Sequence, residues 1–140
     1  MTEGPRLTDA YLFVRDMNAT LAFYGRLDLT FDAAGGDFAR AVTPDGLLGL
    51  EFGTYALTQS YDPNWQGPGA AAKSTLNFEL ASREAVDATY ADLTAAGYAG
   101  HLAPIDAFWG SRFAIVDDPD GNQVGLQSPR DPARATQPSL

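Results

Sequence analysis

The sequence contains no cysteine and a single histidine, His101, in 140 residues. The lack of cysteine excludes disulfide bonds, a thiol nucleophile and a thiolate zinc site. A metal site that requires two imidazole ligands is excluded as well, because His101 would stand alone. A solitary histidine is more often a hydrogen-bonding surface residue than a catalytic base, so we expect no catalytic role for it.

Long apolar runs and positive charge are also scarce. No stretch approaches the roughly 20 apolar residues of a transmembrane helix, and the amino terminus lacks the basic and apolar regions of a signal peptide. We therefore expect a cytoplasmic protein with no membrane partner. Nine basic residues against 18 acidic ones give a formal net charge of −9, which argues against a nucleic acid partner. The hydrophobic content of 45% is enough for the core of one soluble domain.

Strand and helix signals occur in the same order in both halves of the chain. Residues 10–15 alternate like a strand, and Asp16 then begins a helix in which apolar residues recur with helical spacing, namely Leu21, Tyr24 and Leu27. In the second half, residues 76–80 alternate, Ser82 caps a helix and Gly97 ends it. The apolar residues of that second helix are Val86, Tyr90 and Leu93.

Matching turns follow the two predicted helices. Pro-Asp-Gly at 44–46 leads into a strand-like run, as Pro-Asp-Gly at 119–121 leads into residues 123–127. The repeat predicts an α+β fold of two tandem βαβββ modules within one domain. The expected boundaries are a first module at 1–59, a linker at 60–74, a second module at 75–130 and a frayed tail at 131–140.

The predicted linker is rich in proline and glycine but also carries Tyr61 and Trp65. Large aromatic side chains in a polar segment must be covered by their own domain, by a second subunit or by a ligand. The sequence leaves these three options open.

Asp-Pro-Asp-Gly-Asn at 118–122 follows Phe-Trp-Gly at 108–110 and a strand at 112–116. This arrangement resembles the last module of the vicinal-oxygen-chelate superfamily, also called the glyoxalase/bleomycin resistance/dioxygenase superfamily. The resemblance extends from about Leu7 to Pro129. It implies incurved mixed sheets around a groove, completed in a homodimer.

The enzymes of that superfamily hold a metal with histidine and glutamate. The resemblance places their ligand positions here at Asp9, Thr75, Glu51 (or Leu50) and Gly125, with no histidine among them. We therefore expect no metal and no other cofactor. An oxygen-only site for a hard divalent ion on Asp9 and Glu51 is the disfavoured alternative.

Three blocks, at 60–66, 96–104 and 109–112, resemble the antibiotic-binding branch of the superfamily. They are closest to mitomycin-binding resistance proteins and more distantly similar to bleomycin-binding ones. The resemblance implies that the protein sequesters an aromatic or quinone-like antitumour antibiotic of the mitomycin, bleomycin or enediyne class, without covalent chemistry.

The candidate ligand-binding residues are aromatic and polar side chains in predicted loops and edge strands. The aromatic candidates are Trp109, Trp65, Tyr55, Phe38, Tyr61, Phe52, Phe108, Tyr11 and Phe13. The polar candidates are Asp9, Glu51, Arg112 and Gln127. Strand parity favours Asp9, Tyr11 and Phe13 on one face. Core packing is the alternative for the aromatic residues, and an ion pair with Asp117 or Asp118 is the alternative for Arg112.

The alternative function is a metal-independent isomerase, epimerase or lyase of the same superfamily, with Glu51 or Asp9 as the base. Such a base needs a pKa raised by burial. No Ser-His-Asp pattern, phosphate loop or nucleotide fingerprint supports another catalytic class.

Overall fold

The computed structural model describes residues 9–42, 49–63, 65, 67–69 and 74–137. The chain divides into two units, Met1–Gly69 and Ala70–Leu140, and the division lies inside the expected linker. Each unit contains a four-stranded sheet with the same strand order. Of the helices in the described part of the chain, none has the length and apolar character needed to cross a lipid bilayer.

The first unit contains four strands and two helices. In chain order they are β1 (Asp9–Val14), α1 (Met17–Gly25), β2 (Thr30–Gly35), β3 (Phe38–Val42), β4 (Gly49–Thr54) and α2 (Tyr55–Tyr61). The sheet order is β1-β4-β3-β2, in which β1 and β4 are parallel and the other pairs are antiparallel. The expected turn at 44–46 lies outside the described residues.

The second unit repeats this plan. Its elements are β5 (Thr75–Glu79), α3 (Arg83–Ala95), β6 (Gly100–Asp106), β7 (Arg112–Asp117), β8 (Gln123–Gln127) and a short 3-10 helix at Pro132–Arg134. The sheet order is β5-β8-β7-β6, again with one parallel pair, β5 and β8. The α+β class and the tandem βαβββ order predicted from the sequence are therefore confirmed.

Side-chain caps fix the starts of the helices. The carboxylate of Asp16 accepts a hydrogen bond from the Ala19 amide at 3.2 Å, and the Ser82 hydroxyl accepts one from the Ala85 amide at 3.1 Å. Helix α3 ends as predicted, because Gly97 adopts a φ of 100° and its amide bonds to the Thr94 carbonyl at 3.0 Å.

One face of each sheet packs on helices and forms the core. In α1 the buried residues are Met17, Thr20, Phe23 and Tyr24 rather than the predicted row of Leu21, Tyr24 and Leu27. The helix ends at Gly25, so Leu27 lies in the following turn. Helix α3 packs on β6, β7 and β8 and buries Val86 and Leu93 completely.

The turn at 118–122 is held by one buried carboxylate. Asp118 Oδ1 accepts hydrogen bonds from the amides of Asp120 and Asn122 at 2.9 and 2.8 Å, and Oδ2 accepts one from the Asn122 side chain at 2.9 Å. Gly121 has a φ of 83°, which favours glycine. This turn delivers the chain from β7 into β8.

Two segments differ from the expected boundaries. Residues 60 and 61 end helix α2, which begins where the Thr54 hydroxyl accepts a hydrogen bond from the Leu57 amide at 3.2 Å. Residues 131–137 were expected to be frayed. Instead, the Asp131 amide bonds to the Gly110 carbonyl at 3.1 Å and the Thr136 amide bonds to the Phe108 carbonyl at 2.7 Å.

Candidate functional site

The second unit contains a cavity of about 500 Å³, a volume typical of small-molecule sites. Its lining combines three aromatic rings with polar and charged side chains. The lining residues are Asn77, Glu79, Phe108, Trp109, Ser111, Phe113, Gln127, Ser128 and Arg130. Trp109, Phe108 and Gln127 were predicted from the sequence as ligand-binding residues, and the structure brings these three together.

Three rings form one side of the cavity, which we call the aromatic wall: Phe108, Trp109 and Phe113. The Trp109 ring lies 5.0 Å from the Phe113 ring at 70° and 5.1 Å from the Phe108 ring at 90°. Edge-to-face contacts of this kind hold the three rings against one another. Phe108 is 46% exposed, so part of its ring is open to solvent.

The carboxy-terminal segment holds the loop that carries the wall. Gly110 has a φ of 98°, and a Cβ at this position would overlap the carbonyl oxygen of Asp131. Hydrogen bonds from Asp131 and Thr136 to the backbone of this loop complete the attachment. The loop is therefore fixed by the segment that was expected to be frayed, and the same segment places Arg130 at the cavity.

Asn77, Glu79 and Gln127 line the cavity from the face of the sheet opposite α3, whereas Ser111 precedes β7 and Ser128 and Arg130 follow β8. In the sheet register Glu79 is paired with Gln127 and Gln127 with Phe113, so the three side chains share one face. Asn77, Glu79, Ser111, Phe113, Ser128 and Arg130 were missed in the sequence analysis. Alternation could have revealed Asn77, Glu79 and Phe113, since their neighbours Leu76, Phe78 and Ala114 are apolar.

Arg112 was also predicted to bind a ligand, but it does not line the cavity. It lies on the other face of β7, where its guanidinium bonds to Asp87 of α3 at 2.9 Å and to Asp106 at 3.3 Å. The hydrogen bond to Asp87 raises the pKa of Arg112. The arginine therefore joins β7 to α3 and β6, through partners other than the expected Asp117 or Asp118.

The superfamily's ligand positions in the second unit do not fit a metal of the histidine-and-glutamate kind. The Thr75 hydroxyl bonds to Gln123 Oε1 at 3.1 Å, and the Asn77 carboxamide occupies the space that a side chain at Gly125 would need. His101 is exposed, and its Nε2 lies 3.3 Å from Gln123 Nε2. Within the described residues, no group of three or more histidine, aspartate or glutamate side chains is arranged around a common point.

A second group of rings, the aromatic cluster, lies in the first unit: Tyr11, Phe13, Tyr55 and Trp65. The Trp65 ring is 5.4 Å from Phe13 and 5.2 Å from Tyr55, and Tyr11 is 5.6 Å from Phe13. Trp65 is thus covered in part by its own unit, one of the options left open by the sequence. Phe13 keeps 42% of its surface exposed.

Tyr11 reaches across β4 toward helix α2. A Cβ on Gly53 would overlap its hydroxyl, so glycine is needed there for the ring to lie flat on the sheet. The Tyr11 hydroxyl is 3.3 Å from Thr58 Oγ1. Burial raises the pKa of Tyr11. Tyr61, on the last turn of α2, is 60% exposed.

Glu51 and Asp9 bring two carboxyl groups together on the same face as Tyr11. Burial raises the pKa of Glu51, and the negative charge of Asp9 raises it further. Arg40, paired with Glu51 in the sheet register, offsets part of this effect while its Nε bonds to Asp32 at 3.0 Å.

Phe52 was expected to contact a ligand and is instead a core residue. Its ring is completely buried, 5.1 Å from Tyr24 and 5.9 Å from Phe31. Parity explains this: Phe52 alternates with Glu51, so only one of them faces away from the core. Phe38 is half-buried and is paired with Gly53 on the face that carries Glu51.

A family model for the glyoxalase/bleomycin resistance protein/dioxygenase superfamily matches residues 6–126. The chain belongs to this superfamily. No match was found among curated proteins.

Solved structures of the superfamily share the fold of the chain. A glyoxalase/bleomycin resistance protein/dioxygenase from Nocardioides is 22% identical, with 99% of this chain and 93% of that one covered and a TM-score of 0.73. A family enzyme from Burkholderia phytofirmans PsJN is 25% identical over 89% and 98% of the two chains, with a TM-score of 0.71. A glyoxalase-related enzyme from Fulvimarina pelagi is 17% identical over 88% and 87%, with a TM-score of 0.76.

Proposed function

We propose that this superfamily member is a small-molecule-binding protein that sequesters an aromatic or quinone-like antibiotic of the mitomycin, bleomycin or enediyne class. Binding requires no metal and no covalent step. The observation that carries the proposal is the aromatic wall. Trp109 lines a cavity of about 500 Å³ together with polar side chains of β5 and β8.

The wall supplies the physical basis for affinity. Burying about 200–300 Å² of apolar ligand surface at about 25 cal/mol/Å² contributes roughly 5–7 kcal/mol before the costs of association. A micromolar complex needs about 8 kcal/mol. Stacking on Trp109 and hydrogen bonds to the polar lining supply the difference. The protein therefore needs no reaction with the ligand to retain it.

A thermal-shift screen tests this proposal directly. Planar DNA-damaging natural products of the three classes are added with and without divalent metal, and the recovered compounds are analysed by mass spectrometry. A ligand at 100 times its Kd contributes about 2.7 kcal/mol of stability, which gives a clear rise in Tm. Stabilisation without metal and with unaltered compound is expected. Chemical conversion of the compound, or stabilisation only in the presence of metal, contradicts sequestration.

We also propose that the protein acts in the cytoplasm as a homodimer. Large apolar side chains remain exposed on both units, including Phe13 at 42% and Ile105 at 40%. In a two-fold symmetric dimer, the same surface patch on each subunit would cover such side chains. The oligomeric state is therefore part of the proposal and is tested separately below.

A second candidate function rests on the carboxyl pair in the first unit. A metal-independent isomerase, epimerase or lyase needs a base whose pKa lies above its ordinary range, and burial raises the pKa of Glu51 in this direction. The test is deuterium incorporation from D₂O into candidate substrates. Incorporation that is lost in Glu51→Gln and kept in Asp32→Asn supports this function. No incorporation in the parent protein argues for sequestration alone.

A further inference from the structure

Two carboxamide side chains, Asn77 and Gln127, line the cavity from the adjacent strands β5 and β8. Asn77 is exposed and Gln127 is half-buried, and within the residues that the structure describes neither side-chain amide bonds to another protein group. Each carboxamide presents N–H donors beside a carbonyl acceptor. Such groups in a partly enclosed site lose water when a ligand enters, so a ligand that binds well must satisfy them.

A contrasting set of polar groups on β5, β8 and β6 lies outside the cavity. Thr75 bonds to Gln123 at 3.1 Å, and Gln123 lies 3.3 Å from the His101 ring nitrogen. These three side chains satisfy one another and need no ligand. Asn77 and Gln127, two and four residues further along their strands, have no such partners in the described part of the chain.

The fold itself positions the Asn77 carboxamide. Its Oδ1 lies where a Cβ of residue 125 would stand, and the Phe113 ring approaches the same point to 3.0 Å. Gly125 therefore lets the carboxamide lie against the sheet beside the aromatic wall.

The charges of the lining bear on the charge of the ligand. Glu79 and Arg130 contribute one negative and one positive group to the cavity, so the lining carries no net charge although the chain carries −9. A neutral ligand with a polar edge fits such a lining better than a strongly cationic one. The aromatic wall adds the requirement for a flat ring system.

We propose that the cavity recognises a neutral, planar aromatic ligand whose edge carries an N–H donor next to an acceptor, and that Asn77 and Gln127 bind this edge. Lactams, aromatic carboxamides and amino-substituted heterocycles belong to this class. The inference rests on the proposed function, because it requires the aromatic wall to be a ligand site.

Two matched probes separate the contribution of the polar edge to affinity from that of the aromatic rings. Phenanthridinone is a tricyclic lactam, and N-methylphenanthridinone has the same rings but no N–H donor. Affinities are measured by calorimetry and by quenching of Trp109 in a Trp65→Phe background, in which Trp109 is the only tryptophan. The lactam should bind about tenfold more tightly than its N-methyl derivative, because the derivative leaves a carboxamide acceptor without a partner.

Substitutions then show which residues cause the difference in affinity between the two probes. Gln127→Met and Asn77→Leu should each reduce the tenfold ratio to about threefold or less, while Gln123→Met on the same strand should preserve it. Equal affinity for the two probes, with both lost in Trp109→Ala, overturns this inference and leaves aromatic binding in place. A ratio unchanged in both cavity variants also overturns it. Binding of neither probe overturns the inference alone, because the proposed function is tested separately by the thermal-shift screen.

Discussion

Trp109→Ala is the substitution that bears most directly on the role of the aromatic wall. The change removes an indole that contacts Phe108 and Phe113 at 5.1 and 5.0 Å. Loss of about 60–100 Å² of contact with a stacked ligand costs about 1.5–2.5 kcal/mol, and loss of aromatic stacking adds about 0.5–1.5 kcal/mol. Affinity should therefore fall by roughly 2–4 kcal/mol, or about 30- to 1000-fold.

Stability should change much less than affinity, because Trp109 is partly exposed and the core of the second unit lies on the other side of the sheet. The assay pairs calorimetric titration of a ligand found by the thermal-shift screen with thermal unfolding of the unliganded protein. Val42→Ala is the matched control, since Val42 is a 43% exposed apolar residue of the first unit that does not line the cavity. Unchanged affinity together with a large fall in Tm would refute the reasoning and make Trp109 a structural residue.

Four further outcomes are expected. Gly110→Ala should lower stability by about 1–3 kcal/mol in thermal unfolding, because a Cβ meets the Asp131 carbonyl, whereas Gly121→Ala, at a φ of 83° with open space, should cost less. Burial raises the pKa of Glu51 above its ordinary value of 4.5, so the folded state favours the protonated carboxyl group. The free energy of unfolding should therefore fall as the pH rises above 4.5 and Glu51 ionises. Glu51→Gln should therefore raise Tm near pH 7 and leave it unchanged near pH 3. Elemental analysis should find no stoichiometric zinc, nickel or iron; one metal per chain, with binding abolished by chelation, would contradict this. Sedimentation at micromolar concentration should give a dimer, and a stable monomer would speak against the proposed assembly.

Local signals explain why much of the fold was predictable. Ser82 and Gly97 delimit α3 through backbone geometry that depends on a few neighbouring residues. The turn at 118–122 depends on its own Asp118 carboxylate and a glycine with positive φ. Such features act over three to five residues, so they can be read without knowledge of the tertiary structure.

The site was only partly predictable because its residues are selected by parity and by distant contacts. Phe52 and Glu51 are neighbours in sequence, and the packing of Tyr24 decides that Phe52 enters the core. Arg112 turns toward α3 because Asp87 lies there. The carboxy-terminal segment has the composition of a frayed tail, yet its backbone bonds to a loop that lies 21 to 28 residues earlier in the chain. Composition alone carries no information about such contacts.

The arrangement at Gly125 affects how this chain could change during evolution. The superfamily resemblance places a metal ligand at this position, but the Asn77 carboxamide and the Phe113 ring occupy the space that any new side chain would need. A single mutation to glutamate would therefore displace two neighbours before it could coordinate an ion, with the cost of overpacking. A carboxylate ligand at 125 therefore requires an accompanying change at 77. A smaller residue at 77 would relieve only part of the overlap, because the Phe113 ring approaches the same point to 3.0 Å.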